Sequence, residues 1–410
     1  GRPDPIPVGG HLVPAGAECL CRSDPDTAVT MSTSDTAALP NVPRLVLRGR
    51  DIPVILPSRR DPRLRLAAVL LTVQVLGQTV LDFKLSIAQI LVAIGVSALV
   101  EMTVTFRREQ KLVWPASAML TGNSVALLLR ATGTEHGDWW SLNGIHFFAL
   151  AALLALLSKY LVRPSGRHLF NPSNVGLVWV LLVVGPAGVF PQYLWWGPYL
   201  SLPVVLTFAV ILLGAVWILR ALGMMPMVVS FLVTFGLLIA FFAAAGNSFW
   251  AIWHPVPVAG TFYWVNLVLS PEVLIFVFFM MSDPQTAPKA PLARMIFGAA
   301  PALVAAGLVW FQPTEFGVKL GILSSLTVTC ALVPVIEQVS RRIRRRQLNL
   351  PIEPSDPRPM LAQLRAAASS PSMVAAAIIA VAAPIDTAAL ADNEELILIE
   401  QGLSADPDPQ

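Results

Sequence analysis

Charge is what this sequence has least of. Only 13% of its residues are Asp, Glu, Lys or Arg, against roughly a quarter in an ordinary soluble domain, while 55% are hydrophobic. That balance excludes an ordinary soluble domain and points to a membrane protein. Cysteine is scarce as well: Cys19 and Cys21 lie in a polar N-terminal stretch and Cys330 stands alone in an apolar one. Three thiols exclude a disulfide framework, and also an iron–sulfur cluster held by this chain alone, which usually takes four thiolates. P-loop, dinucleotide glycine fingerprint, zinc-type spacing and Gly-x-Ser-x-Gly elbow are all missing, so no soluble-type catalytic centre is visible.

What is present is a series of long apolar runs. A spanning helix needs about 20 mostly apolar residues. Ten segments meet or nearly meet this, near 64–81, 86–106, 112–130, 141–163, 168–186, 198–220, 225–245, 264–282, 294–311 and 317–337. The small net charge of +3 hides a lopsided distribution. Arg59, Arg60, Arg63 and Arg65, then Arg107, Arg108 and Lys111, then Lys159, Arg163 and Arg167 all fall on one side of such a topology. Arg220, Lys289, Arg294 and the run Arg341, Arg342, Arg344, Arg345 and Arg346 join them, leaving Lys84, Arg130 and Lys319 opposite. This bias places both termini in the cytoplasm of a bacterial inner membrane and makes the charge a topology signal, not a nucleic-acid footprint. The outer loops "QYLWWGPY" and "NSFWAIWHP" supply the aromatic residues of a membrane–water boundary.

Residues 1–57 are rich in Pro, Gly, Asp, Ser and Thr without the apolar core of a signal peptide, and read as a disordered cytoplasmic tail. The membrane domain covers 58–346. Beyond it, 347–410 is a polar and acidic tail with a weak apolar segment at 366–384, interrupted by Pro371 and read as lying outside the membrane.

The expected fold is all-α and polytopic, with ten transmembrane helices in two five-helix repeats, about 64–186 and 198–337. An odd number of spans per repeat inverts the second copy. The third and eighth spans are expected to be short or broken. In the eighth, Ser270, Pro271 and Glu272 form a helix-start signature, a capping hydroxyl, a proline and an acid. From there to Asp283-Pro284 is about a dozen residues, roughly 18 Å of helix, too short for a core of about 30 Å. In the third, Pro115 and Ser117 stand at the start and Gly122 and Asn123 near the middle. Paired broken helices in matching positions of two halves point to a site near the midplane, although plain proline kinks would leave the same trace.

Candidate site residues follow from these breaks and from the few polar groups in apolar segments. They are Glu101, Asn123, Asn171, Ser173, Asn174, Glu272, Asp283 and Thr286. Glu101 lies inside the second span, where a loop arginine is the expected partner. Lys319 falls near a span end, where snorkelling makes a charge tolerable. Asn171-Pro172 caps the fifth span. With Ser173 and Asn174 it forms one polar-Pro cluster; "SDPQTAP" after the eighth span forms another on the same side, and the two are expected to approach each other. His146 and His168 fall at opposite ends of neighbouring spans, so no haem is expected between them.

The stretches "KYLVRPSGRHLFNPSNVGLV" and "FVFFMMSDPQTAPKAPLARMIFG" resemble the signature regions of the RnfD and NqrB membrane subunits of ion-translocating electron-transport complexes. "DPRLRLAAVLLTVQVLGQTVLDFKLSIAQIL" and "WPASAMLTGNSVALLLR" are similar to a branch found with enediyne biosynthesis, the UnbU-like, RnfD-like membrane proteins. The resemblance covers about 59–340. It implies two inverted five-helix repeats similar to urea-type channels, and partner subunits in a membrane complex. Flavin-bearing members attach FMN to a threonine in the loop after the Phe-Asn-Pro span. Here that loop, "GPAGVFPQYLWWGPYLSLP", has no threonine, so covalent FMN is not expected and only a noncovalently held flavin is left open. Three functions follow: an RnfD-like component of an electron-transfer or ion-coupled complex, a channel or transporter for a small solute, or a scaffold subunit docking through "RRIRRR" and the tails.

Overall fold

The computed structural model describes residues 43–47, 50–58, 61–163, 168–198 and 200–347. Helices dominate: α1 Pro62–Val80, α2 Ile87–Glu109, α3 Ala116–Leu128, α4 Ile145–Leu161, α5 Pro172–Val184 and α6 Leu202–Leu222. Then come α7 Met225–Ala244, α8 Gly260–Val268, α9 Pro271–Ile275 continuing as a π-helical stretch Phe276–Met280, α10 Pro291–Val309 and α11 Glu315–Gln347. Seven of the described helical segments, counting Gly260–Met280 as one, are long and apolar enough to cross a membrane, and α3, α4 and α5 are shorter apolar helices. The exterior is apolar too, with Leu99, Leu213, Trp217, Leu237 and Phe241 exposed on α2, α6 and α7. Helices apolar all round belong in lipid.

Local chemistry starts these helices. Asp61 caps α1 by accepting the Arg63 N–H, and Ser86 and Gln89 form a reciprocal capping box on α2. Asn171 caps α5 with Pro172 behind it. Pro203, Pro226 and Pro291 occupy the first turns of α6, α7 and α10, where their missing N–H costs nothing. Once formed, the helices approach closely at small residues. A Cβ on Gly176 of α5 would strike the Ala151 carbonyl of α4, and one on Gly298 of α10 the Met227 carbonyl of α7.

Helix α2 packs on α3 and α4, as α7 packs on α8 and α10. Likewise α4 lies on α5 as α10 lies on α11, and α1 touches α3 as α6 touches α9. Contacts of α1 with α6 and of α5 with α11 join the two sets. Enclosure peaks at the centre: 78% of the window at Gly260–Met280 and 72% of that in α11 are buried, against 22% in α2.

Short strands tie the loops at the two ends. At one end β4 Leu129–Ala131 pairs antiparallel with β5 Val189–Pro191, and β6 Ser248–Phe249 with β7 Val258–Ala259. At the other end β1 Arg44–Leu47 and β2 Arg50–Ile55 form an antiparallel pair, and β2 runs parallel to β3 Leu112–Val113.

Some of these expectations are corrected and others narrowed. Arg44–Leu47 and Arg50–Ile55 are strands and not disordered tail, because β3 offers β2 a partner edge after the second span. The third span is short but not broken, running as 13 helical residues through Gly122 and Asn123, about 20 Å of helix. The eighth span is broken as expected, interrupted at Leu269–Ser270 with the nine-residue α8 before the break. The last span is much longer than expected, 33 residues, and carries its arginine run as helix to Gln347. The apolar segment at 366–384, Arg59, Arg60, Arg167 and the tails at 1–42 and 348–410 lie outside the described residues.

Candidate functional site

A charge buried among apolar helices must find its partner inside the bundle. The break between α8 and α9 gathers three such groups. Ser270 caps α9, its hydroxyl accepting the Val273 N–H at 3.4 Å, and Pro271 follows at the first helical position. This fixes Glu272 in the first turn of α9, buried at 5% exposure. Across from it Lys319, 3% exposed in the second turn of α11, places Nζ 2.6 Å from Glu272 Oε2 and 3.5 Å from Glu315 Oε1. Glu315 and Lys319 share one face of α11 because they are four residues apart.

The three groups are not equivalent. The Lys319–Glu272 contact is a close ion pair, with Glu272 Oε2 meeting no other donor among the described residues. Glu315 is held on both sides: Oε1 accepts the Leu194 N–H at 2.6 Å and Oε2 accepts the Trp253 indole N–H at 2.8 Å. Those donors come from the loops after α5 and α7, so Glu315 fastens two loops to the start of α11. Arg130 of β4, buried with its guanidinium 4.1 Å from the Tyr193 ring centre, lies within electrostatic reach of Glu272. Beside the ion pair is a narrow space lined by Leu128, Leu194, Val273, Phe276, Ile322 and Leu323 as well as Glu272 and Lys319. It has room for about one water molecule.

A second polar cluster lies toward the other end of α11. Asn171 Oδ1 accepts the Asn174 N–H at 3.1 Å and the Ser173 hydroxyl at 2.8 Å, while its Nδ2 donates to the Met280 carbonyl at 3.0 Å. His168 Nε2 lies 3.4 Å from Asp283 Oδ2, and the Thr286 hydroxyl donates to the Asp283 carbonyl at 3.3 Å. The buried Cys330 thiol adjoins Asn171 and Thr286. The "FNPSN" and "SDPQT" segments are thus brought side by side, Asn171 bonding Met280 just before the second and Asp283 meeting His168 just before the first.

Helix α11 connects the two clusters. Asn174 Nδ2 donates to the Leu323 carbonyl and to Thr327 Oγ1, each at 2.9 Å. Glu315, Lys319, Leu323 and Thr327 recur every four residues and Cys330 follows three later, so one buried face of α11 runs from the ion cluster to the second cluster. From Glu315 to Cys330 this face is about 22 Å long.

Two candidates stand apart. Glu101 pairs with Lys159 Nζ at 2.8 Å, which also donates to Ser117 Oγ at 3.1 Å. The expected loop arginine is therefore corrected to a helix-borne lysine, and the three groups knit α2, α3 and α4. Asn123 is buried in α3, with neither amide atom in a hydrogen bond among the described residues. Sequence reasoning missed Lys319, Glu315, Arg130 and Thr327 as site residues. The available signal was a lysine four residues after a glutamate at the start of an otherwise uncharged span.

The loop from α5 to α6 has no threonine. Its Gln192 and Leu194 N–H groups are engaged by the Leu128 carbonyl and by Glu315. These residues do not fit a flavin phosphoester. No family model and no curated protein matches the chain.

Proposed function

We propose that this protein is an RnfD-like integral membrane component of an ion-coupled membrane complex, and that it carries an ion-translocation path along the buried face of α11. The observation that carries this reading is the buried Glu272–Lys319–Glu315 cluster beside an interrupted membrane helix. Ionisable groups inside a membrane are costly and mark ion or proton pathways. Irregular backbone at that depth belongs beside a cavity or within protein. The narrow space next to the pair favours an ion or water over a larger solute, and the polar groups at Asn174, Thr327 and Cys330 continue the line toward the His168–Asp283 end.

The repeated packing of α2, α3, α4 and α5 in α7, α8–α9, α10 and α11 supports ten spans in two inverted repeats. In that topology α3, α4 and α5 span with the help of their flanking loops, the arginine-rich end faces the cytoplasm of a bacterial membrane, and Glu315 faces the outer side. Partner subunits would supply any electron-transfer step, since this chain offers no seat for covalent FMN.

The test is charge movement in proteoliposomes under an imposed potential, with the chain alone and with any co-purifying subunits. Wild-type protein should carry current that Glu272→Gln removes and Glu101→Gln retains. Equal currents from wild type and Glu272→Gln would refute the path.

A further inference from the structure

We propose that the ion handled at Glu272 is the proton, because the Lys319 ammonium already holds the seat between the two carboxylates that a metal cation would need. The inference rests on the translocation reading above and names its substrate.

Two carboxylates converging on one point make a cation site, and here that point is occupied by the chain itself. Lys319 Nζ is 2.6 Å from Glu272 Oε2 and 3.5 Å from Glu315 Oε1. The remaining oxygen chemistry of Glu315 is taken by the Leu194 N–H and the Trp253 indole. Apart from Glu272 and Lys319, the side chains lining the adjoining space are hydrocarbon, from Leu128, Leu194, Val273, Phe276, Ile322 and Leu323. A metal ion stripped of water needs a shell of oxygens, and beyond Glu272 the lining side chains provide none. A proton needs only one carboxylate oxygen and a water to deliver it, which matches the room available.

The charged groups that surround Glu272 are Lys319 and Glu315 on α11 and Arg130 on β4. Two acids and two bases already balance, so the cluster is electrically complete without a metal. The unequal distances from Lys319 to its two carboxylates give the step. A proton from water on one side adds to Glu272 and dissolves the tighter ion pair. Lys319 keeps all three of its protons and closes on Glu315. Glu272 then releases a proton toward the Asn174–Thr327 side, and Lys319 returns. One proton enters, one leaves, and only O–H bonds form and break.

Proteoliposomes loaded with a pH dye and, separately, with a sodium reporter decide the matter under an imposed potential. Wild type should move protons and no sodium, with the rate unchanged when external sodium is replaced by choline. Sodium flux without proton flux overturns the inference and leaves the translocation reading standing; absence of both, in folded protein, overturns both. A binding measurement checks the seat independently of flux. Lys319→Ala should gain a thermal stabilisation that rises with sodium concentration, whereas wild type should show none. Sodium stabilisation of wild type, or none in a folded Lys319→Ala protein, contradicts the proposal. Should Lys319→Ala not fold, Glu272→Gln keeps the side-chain shape but cannot take the proton, and it should lose proton flux. Retained flux there overturns the proposal.

Discussion

Replacing Lys319 with methionine tests the energetics of the buried cluster. The substitution keeps an unbranched apolar stem and removes the ammonium, leaving Glu272 with no ion-pair partner in contact. Breaking a buried pair from one side costs about 3–5 kcal/mol, mostly because the surviving charge is stranded. Glu315 suffers less, because it stands 3.5 Å from Lys319 and keeps two other donors. The loss should therefore arise largely at Glu272, and neutralising that side should recover most of it. Lys319→Met should destabilise by about 3 kcal/mol or more, and adding Glu272→Gln should return about 2 kcal/mol. Reversible unfolding in mixed detergent micelles, run on wild type, both single variants and the double variant, gives the coupling. Additive losses in the double variant would refute the claim that the two groups neutralise each other.

Other expectations follow from single contacts. Asn171→Ala removes both the α5 cap and the bond to the Met280 carbonyl; it should cost about 1–3 kcal/mol in the same assay. Gly176→Val drives a side chain into the Ala151 carbonyl and should cost at least about 1–3 kcal/mol, whereas Gly95→Ala, which meets nothing nearby, should be neutral or slightly stabilising. At Asp61 the Arg63 guanidinium holds the carboxyl below its ordinary range. The contribution to stability is present above the unfolded value of about 3.9 and is lost as pH falls through the lower folded value. With Arg63 half exposed, the effect is a few tenths of a kcal/mol at most, and Asp61→Asn should flatten that acid limb.

Much of the helical framework was legible because helix starts are local chemistry. Ser270-Pro271 and Asn171-Pro172 cap where their side chains and fixed proline φ dictate, whatever surrounds them. The approach of the two polar-Pro segments was anticipated from their expected placement on one side of the membrane. The ion cluster was not, because Glu272 and Lys319 lie 47 positions apart on different helices, and only packing shows that the lysine turns inward instead of snorkelling. Span lengths misled for a related reason. Hydropathy cannot tell the 13-residue α3 and α5 from full spans when the apolar loops and strands beside them extend the same run. The strand pair Arg44–Leu47 and Arg50–Ile55 escaped because its partner, β3, lies more than 50 residues away.

The most direct test of a path along α11 is cysteine accessibility in a cysteine-free background, Cys19→Ser, Cys21→Ser and Cys330→Ser. Single cysteines at Leu323, Thr327 and the native position 330, on the proposed path, should react with a small water-soluble thiol reagent in intact membranes. Cysteines at Val318, Ser325 and Leu332 should not. Uniform protection of the first set, or equal labelling of both, would contradict an aqueous ion path on that face.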